Sequence, residues 1–141
     1  MTFAGYNAYD IILFRVLNMI TDPSANNQTY EAQAQLLKLL THPARLAILN
    51  ILRDGEHCVC HMEAYLGYRQ AYISQQLTVL REAGLIQDRR DGWNVFYRVI
   101  DARIFEVLGA VERMLGLEPG PGAQKPATAC ACPHCNAAEE Q

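Results

Sequence analysis

The chain contains 141 residues, which is enough for one domain of ordinary size and a tail. Half of the residues are hydrophobic and 19% are charged, a composition typical of a folded globular protein and not of a disordered one. The formal net charge of -3 excludes a protein that coats nucleic acid with a uniformly basic surface, so any DNA binding must come from a local basic face.

Membrane insertion and secretion are not expected. The longest apolar run, residues 11–20, is shorter than the roughly 20 apolar residues that a membrane-spanning helix needs. No basic segment and no small-residue cleavage site of a secretory signal surround it. We therefore expect a cytoplasmic protein without a membrane partner. In that compartment its five cysteines are expected to be reactive or metal-binding instead of forming structural disulfides.

The order of predicted elements is typical of a winged helix-turn-helix, a mostly helical fold with a small β-hairpin. Apolar periodicity and helix-ending residues predict helices over residues 9–20, 29–40, 44–53, 59–66 and 70–83. Strands are expected over residues 85–90 and 94–100, joined at Asp91-Gly92, where both turn positions tolerate a positive φ. Asp101 is expected to be the N-cap of a last helix that ends near residue 115.

The helix predicted over residues 70–83 has the features of a DNA-reading helix. Ile73, Leu77 and Leu80 form an apolar stripe on one side. Glutamine side chains can hydrogen bond adenine edges in the major groove, whereas Ser, Thr and Arg bind phosphates or bases. A local excess of positive charge extends from residue 69 to residue 98. The alternative is an ordinary solvated helix face and hairpin. The residues predicted to contact double-stranded DNA are Gln70, Tyr72, Ser74, Gln75, Thr78, Arg81, Arg89 and Arg90.

Three segments resemble the ArsR/SmtB family of metal-responsive repressors. They are THPARLAIL at residues 41–49, QQLTVLREAGLI at residues 75–86 and RRDGWNVFY at residues 89–97. The resemblance covers about residues 30–115 and implies a homodimeric winged-helix repressor that leaves an inverted-repeat operator when an inducer binds.

The resemblance also implies a division of the chain. Residues 1–28 would form a dimerisation helix and loop, residues 29–116 the DNA-binding domain, and residues 117–141 a flexible tail rich in Pro, Gly and small residues. In this family the first and last helices form the dimer interface. The apolar stripe of the last helix fits that role and consists of Ile104, Val107, Leu108, Val111 and Leu115.

A cysteine pair lies at the start of the first helix of the helix-turn-helix motif, the helices predicted over residues 59–66 and 70–83. Its sequence is HCVCH at residues 57–61. Positions two apart point about 200° from each other on an ideal helix, so Cys58 and Cys60 can hold one ion only if the helix start is irregular or becomes irregular on binding. Chelation would bend the element that positions the recognition helix and so create two states. The pair is similar to the thiolate site of the family's arsenite and cadmium/lead sensors. The alternative is two small buried hydrophobic residues.

Two thiolates do not complete a soft-metal site. Tetrahedral metals take four ligands and trivalent arsenic takes three sulfurs. We expect the missing ligands to come from Cys130, Cys132 and Cys135 in the tail, from the same or the partner protomer. The expected ion is arsenite first, with cadmium, lead or zinc as alternatives. A separate tail site and a tail with incidental cysteines remain open.

The family's second metal site, on the last helix, is expected to be absent because the resemblance places Arg103 at a ligand position beside Asp101. A thiol-redox or sulfide-responsive repressor on the same fold is the alternative function. An enzyme is not expected, because the sequence contains no nucleophile–base arrangement, carboxylate pair or phosphate loop. The oxidoreductase-like spacing of Cys132 and Cys135 lacks the fold that would lower the pKa of a thiol.

Overall fold

The computed structural model describes residues 25–118. The helix predicted over residues 9–20 and the tail with Cys130, Cys132 and Cys135 lie outside the described residues. The chain divides into two compact units, Met1–His42 and Pro43–Gln141.

The described part of the first unit contains helix α1 (Ala25–Leu39), which begins four residues before the predicted start. The side-chain amide of Asn27 donates a hydrogen bond to the carboxylate of Glu31 at 3.2 Å. Such i,i+4 pairs stabilise a helix, and this one lies across the boundary between the predicted loop and the predicted helix.

The second unit contains the reading motif. Its elements in chain order are α2 (Pro43–Ile51), a 3₁₀ turn (Leu52–Asp54), β1 (His57–Cys58), α3 (Val59–Leu66), α4 (Gln70–Glu82), β2 (Ile86–Asp91), β3 (Asn94–Val99) and α5 (Arg103–Met114). Helices α3 and α4 with the β2–β3 hairpin confirm the predicted winged helix-turn-helix, mostly helical with a small sheet.

The core of this unit holds α4 by its apolar stripe. Ile73, Leu77 and Leu80 are fully buried, together with Ile48 of α2 and Met62 of α3. Burying a side chain of this size contributes roughly 1.5–3 kcal/mol, so the stripe fixes which side of α4 remains outside.

A left-handed residue separates the two helices of the motif. Gly67 has a φ of 69°, and its backbone N–H donates to the carbonyl of Glu63 at 2.9 Å. A residue without a Cβ adopts this conformation at little cost, so α3 ends sharply and α4 starts three residues later.

The sheet has three antiparallel strands in the order β1-β3-β2, one more than predicted. The additional strand, β1, pairs His57 with Tyr97 and Cys58 with Phe96. A two-residue strand has no alternating pattern for a sequence argument to detect.

The hairpin turn differs from the prediction by one residue. Asp91 pairs with Asn94 as the last residue of β2, so the turn residues are Gly92 and Trp93 and not Asp91 and Gly92. Only Gly92 has a positive φ, 59°. A positive φ at the first turn position alone is a feature of type II′ turns, which match the twist of the paired strands.

The start of α5 also corrects a prediction. The N-cap is Ala102 and not Asp101. The Asp101 carboxylate nevertheless accepts a hydrogen bond from the backbone N–H of Arg103 at 2.9 Å, so it satisfies one of the free donors of the first turn from one residue upstream.

The apolar residues of α5 have two different environments. Ile104 and Leu108 are buried within this chain, whereas Val107 and Val111 are exposed, and so is Leu115 just after the helix. The exposed residues thus form a stripe that the chain's own core does not cover.

Within residues 25–118, no helix is long and apolar enough to cross a membrane.

Candidate nucleic-acid interface and thiol site

Helix α4 presents most of its predicted DNA-contacting residues to solvent. Gln70, Gln75, Thr78 and Arg81 are exposed, and Tyr72 and Ser74 are half-buried. The Thr78 hydroxyl donates a hydrogen bond to the Ser74 carbonyl at 2.9 Å, which orients the hydroxyl oxygen as an acceptor on the outer surface. The exposed side of α4 is therefore polar and rich in hydrogen-bonding groups.

Gln76 is a structural position that the sequence did not predict. Its side chain is 6% exposed, and its Oε1 accepts a hydrogen bond from Nε of Arg45 in α2 at 3.0 Å. The spacing offered a signal, because Gln76 lies three residues after Ile73 and four before Leu80 and so shares the buried side of the helix. This bond joins α4 to α2 from inside the domain.

The hairpin is joined to the end of α4 by an ion pair. Arg81 lies 3.5 Å from the carboxylate of Asp88 in β2. Asp88 is the cross-strand partner of Tyr97, and burial, followed by the charge of Asp88, raises the pKa of the Tyr97 hydroxyl. Helix α4 and the β2–β3 hairpin, which is the wing of the fold, therefore share a polar contact on one face of the sheet.

The two predicted wing arginines lie on opposite faces of the hairpin. Arg90 pairs across the strands with Val95, on the same face as Asp88, and is exposed. Arg89 pairs with Phe96 on the other face, and its guanidinium lies 5.1 Å from the centre of the Phe96 ring.

Arg89 is also held by carboxylates. It forms an ion pair with Glu56, and its Nη1 lies 3.5 Å from Asp91. The hydrogen bond to Glu56 is the main cause that raises the pKa of Arg89. Arg89 thus has carboxylate partners within the chain.

The cysteine pair lies where β1 meets α3. Cys58 is the N-cap of α3 with an extended backbone, φ -84° and ψ 164°, and its Sγ accepts a hydrogen bond from the backbone N–H of His61 at 3.4 Å. Cys60 lies in the first helical turn. The helix start thus has the irregularity that two sulfurs at this spacing require.

The structure joins Cys58 and Cys60 in a disulfide. Their Cα atoms are 5.4 Å apart, within the range that disulfides occupy. The side chain of Cys58 is 2% exposed and packs with Phe96, Cys60 and Ala64. Phe96 therefore contacts the sulfur pair and also lies beneath the guanidinium of Arg89. The thiol site and the wing share this one aromatic ring.

Two imidazoles flank the cysteines. The rings of His57 and His61 are stacked with centroids 4.3 Å apart. Burial lowers the pKa of both, and the charge of His61 lowers the pKa of His57 further. Burial therefore disfavours the charged form of both imidazoles.

The described residues supply only part of the predicted metal site. Across residues 25–118, no three His, Cys, Asp or Glu side chains converge as metal ligands. Cys58 and Cys60 provide two sulfurs, fewer than the three that trivalent arsenic or the four that a tetrahedral soft metal takes.

The position of the family's second metal site contains an ion pair. The Nε of Arg103 donates to both carboxylate oxygens of Asp101, at 3.0 and 2.9 Å. These hydrogen bonds lower the pKa of Asp101. The Asp101 carboxylate is therefore engaged by a cation of the chain itself.

The fold and the exposed side of α4 define this chain as a winged helix-turn-helix DNA-binding protein. Residues 42–88 match the family described as bacterial regulatory protein, arsR family. The chain is 48% identical over 81 residues to the biofilm growth-associated repressor of Agrobacterium fabrum, which corresponds to 55% of this chain and 69% of that protein. The chain belongs to the ArsR family, whose members are DNA-binding transcriptional regulators. This confirms the predicted family and the prediction that the chain is not an enzyme.

Solved structures agree on the fold. The transcriptional repressor BigR from Xylella fastidiosa is 34% identical with a TM-score of 0.59, over 67% of this chain and 96% of that chain. A homodimeric winged helix-turn-helix DNA-binding domain from Mycobacterium bovis, a possible ArsR-family regulator, is 27% identical with a TM-score of 0.58, over 68% and 94% of the two chains.

Proposed function

We propose that this chain is a homodimeric transcriptional repressor that binds operator DNA through α4 and the β2–β3 hairpin. We further propose that it loses affinity for DNA when Cys58 and Cys60 are oxidised to a disulfide. The observation that carries the proposal is the contact of this sulfur pair with Phe96, the ring that also supports the wing residue Arg89.

The exposed side of α4 supports DNA binding. Gln70 and Gln75 offer amides for base edges, and Thr78 and Arg81 offer groups for bases or phosphates. Exposed Arg90 adds a cation on the face of the hairpin that Arg81 contacts through Asp88. The homodimeric relative supports dimerisation, and the exposed stripe of α5 provides an apolar surface for it.

The ion pairs of Arg89 support loss of affinity in the oxidised state. A phosphate contact requires a cation that is free to replace condensed counterions. With the disulfide formed, Arg89 is instead held by Glu56 and Asp91 against the Phe96 ring. Reduction separates the two sulfurs and changes the packing of Phe96, which frees Arg89 to contact a phosphate. Coupling between two sites is typically 1–3 kcal/mol, so oxidation is expected to weaken binding about 5- to 150-fold.

Formation of the disulfide from two thiols requires a two-electron oxidant, and hydrogen peroxide is such an oxidant. Cys60 is more exposed than Cys58 and lies in the first turn of α3, where the helix terminus favours a thiolate. Its sulfur attacks peroxide, releases water after protonation of the leaving hydroxide, and becomes a sulfenic acid. The sulfur of Cys58 then displaces water from it to form the disulfide. Two thiols are oxidised, and one peroxide is reduced to two waters.

A thiophilic ion at the same sulfurs is the second candidate function. The favouring observation is that the irregular start of α3 brings both sulfurs together, which a regular helix would prevent. Cys130, Cys132 and Cys135 would complete the ligand set, with arsenite first and cadmium, lead or zinc as alternatives. Ion binding would then release the repressor from its operator.

One set of variants tests both candidates. The duplex probe is selected from a random-sequence library by the reduced wild-type chain, and affinity is measured by anisotropy. The variants are Cys58→Ser with Cys60→Ser, and Cys130→Ser with Cys132→Ser and Cys135→Ser. Under the oxidation proposal, peroxide weakens binding by the wild type and the tail variant but not by the Cys58/Cys60 variant.

The same variants separate the ion-binding candidate. Arsenite in the presence of a phosphine reductant should release the wild type and spare both variants if the composite site exists. Equal release of the tail variant by arsenite would show that the composite site is wrong. Equal peroxide sensitivity of the Cys58/Cys60 variant would refute the thiol switch. If the reduced wild-type chain selects no duplex from the library, the proposal that it is a DNA-binding repressor is wrong.

A further inference from the structure

The tip of the hairpin carries an apolar side chain that the fold does not use. Trp93 is 102% exposed, and it is the single tryptophan of the chain. An indole in this position gains none of the stabilisation that burial provides. Because Gly92 supplies the only positive φ of the turn, the second turn position does not require a particular side chain. The backbone therefore leaves the identity of Trp93 unexplained.

The position of Trp93 is set by the length of the hairpin. β2 begins at Ile86, which is buried in the core just after α4, and the strands remain paired up to Asp91 and Asn94. Five residue steps at a rise of about 3.4 Å place Asp91, the last paired residue of β2, about 17 Å from Ile86, and Trp93 lies in the turn beyond it. Half of a DNA helical turn of about 34 Å is the same distance. A hairpin of this length is therefore long enough to extend from a major groove to the adjacent minor groove.

We propose that Trp93 enters this minor groove and gives the protein a preference for A·T pairs beneath the wing. The proposal rests on the proposed binding of DNA by α4. The flat apolar ring would lie against deoxyribose and base edges. Its Nε1–H would donate to adenine N3 or thymine O2, the acceptors of A·T pairs in the minor groove.

A G·C pair opposes the same contact. The guanine N2 amino group adds a hydrogen-bond donor to a minor groove that otherwise presents only acceptors, so it faces the indole N–H donor and also occupies the space. Exposed Arg90, three residues before Trp93, provides a cation near the tip. Narrow A·T-rich minor grooves have an enhanced negative potential that attracts such a cation. Charge and hydrogen bonding therefore favour the same sequence.

The test compares the sequence preference of the wild type with those of Trp93→Ala and Trp93→Phe. Each full-length reduced chain selects duplexes from the same random library. The wild type should enrich A·T pairs about half a turn from the sequence read by α4, and Trp93→Ala should lose this enrichment while keeping the α4 sequence. Trp93→Phe retains an aromatic ring but lacks the N–H donor. It should therefore retain most of the affinity for DNA and lose the preference for A·T pairs.

Modified base pairs show which groove is read. Inosine·C presents the major-groove groups of G·C but lacks the minor-groove amino group. On the wild-type-selected duplex, G·C at the enriched positions should weaken binding, and inosine·C should restore it. Trp93→Ala removes one hydrogen bond and the apolar contact with the groove, so it should bind the selected duplex roughly 10-fold more weakly.

Fluorescence provides an independent measurement, because all indole emission comes from Trp93. Saturation with the selected duplex should quench and shift this emission. Unchanged emission, or the same A·T enrichment with Trp93→Ala, would overturn the role of Trp93 while leaving DNA binding by α4 intact. Enrichment of no duplex at all by the wild type would overturn both. A Trp93 that contacts another protein instead would give the unchanged emission on DNA.

Discussion

Adjacent glutamines in α4 illustrate how burial separates structural from binding roles at the level of single residues. Gln75 is exposed, whereas Gln76 is buried and accepts a hydrogen bond from Arg45. A hydrogen bond to a charged group contributes about 1.5–3 kcal/mol, so we expect Gln76→Ala, which removes the bond from Arg45, to lower the free energy of unfolding by about that amount. Urea denaturation measures this change.

The neighbouring variant is the matched control. Gln75→Ala removes the same side chain from the surface and should change stability by less than about 0.5 kcal/mol. It should instead weaken binding to the selected duplex about 5- to 150-fold, because a bidentate base contact provides about 1–3 kcal/mol of discrimination. A destabilised Gln75→Ala with unchanged DNA affinity would reverse the assignment of the two residues.

In the proposed switch the β2–β3 hairpin connects the thiol site to DNA, and Glu56 is the residue that forms an ion pair with Arg89 of this hairpin. We expect Glu56→Gln to free Arg89 in the oxidised chain and to raise its DNA affinity toward that of the reduced chain. An exposed ion pair contributes about 0–1 kcal/mol to folding, so stability should change little. Anisotropy titrations under reducing and oxidising conditions measure the ratio of the two affinities.

Glu63→Gln controls for the loss of one negative charge. Glu63 is exposed on α3, the helix that carries the cysteine pair, and the substitution has the same formal charge change as Glu56→Gln. The control should preserve the full ratio between reduced and oxidised affinities. If both variants lower the ratio of reduced to oxidised DNA affinity equally, the effect comes from the loss of one negative charge. Arg89 would then have no specific role in the switch.

The start of α5 has a pH-dependent stabilising contact. Hydrogen bonds from Arg103 lower the pKa of Asp101, so the folded chain prefers the carboxylate ionised. Its contribution is therefore full above the ordinary aspartate pKa of about 3.9 and is lost as pH falls through the lower folded value. We expect Asp101→Asn to be less stable than the wild type at pH 7 by at most about 1 kcal/mol, because asparagine keeps the hydrogen-bond acceptor but loses the charge of an exposed ion pair.

Thermal unfolding of the two chains between pH 7 and pH 3 checks this expectation. The difference between the melting temperatures should shrink as the pH falls, because the wild-type carboxylate becomes protonated and the asparagine does not titrate. A difference that is constant over this range would mean that the charge of Asp101 does not stabilise α5.

For the molecule as a whole, the sequence predicts the elements that have a periodic apolar pattern. It misses the contacts between residues that are far apart in the chain. The spacing of Ile73, Leu77 and Leu80 placed α4 within one residue of its observed end. The two-residue strand β1 has no pattern of its own and exists because β3 pairs with it. The partner of Arg89 is Glu56, 33 residues away, and only the folded sheet brings them together.

The thiol site shows the same division. The sequence predicted that Cys58 and Cys60 meet only at an irregular helix start, and β1 supplies that irregularity by keeping Cys58 extended. It did not predict the contact with Phe96, since that contact follows from the register between β1 and β3. The composite metal site and the domain boundaries remain predictions.

Dimerisation is the property of the whole molecule that the proposed function requires. Val107 and Val111 of α5, with Met114 and Leu115, are exposed, and Val111 and Leu115 continue the apolar side of the helix that begins at the buried Ile104. We expect Val111→Lys to place a charge in the interface and shift the chain toward monomer. Because Val111 is exposed within the single chain, the fold should be retained. Sedimentation velocity and circular dichroism measure the two properties.

Loss of the dimer should also weaken DNA binding, since two half-sites bound together give a much higher affinity than one. Glu106→Lys is the control, because it introduces a lysine at another exposed position of α5 outside the apolar stripe. That variant should remain dimeric and bind the selected duplex at least as well as the wild type. A monomeric Val111→Lys with full affinity would show that one winged helix is sufficient for DNA binding. A dimeric Val111→Lys would place the interface away from the α5 stripe.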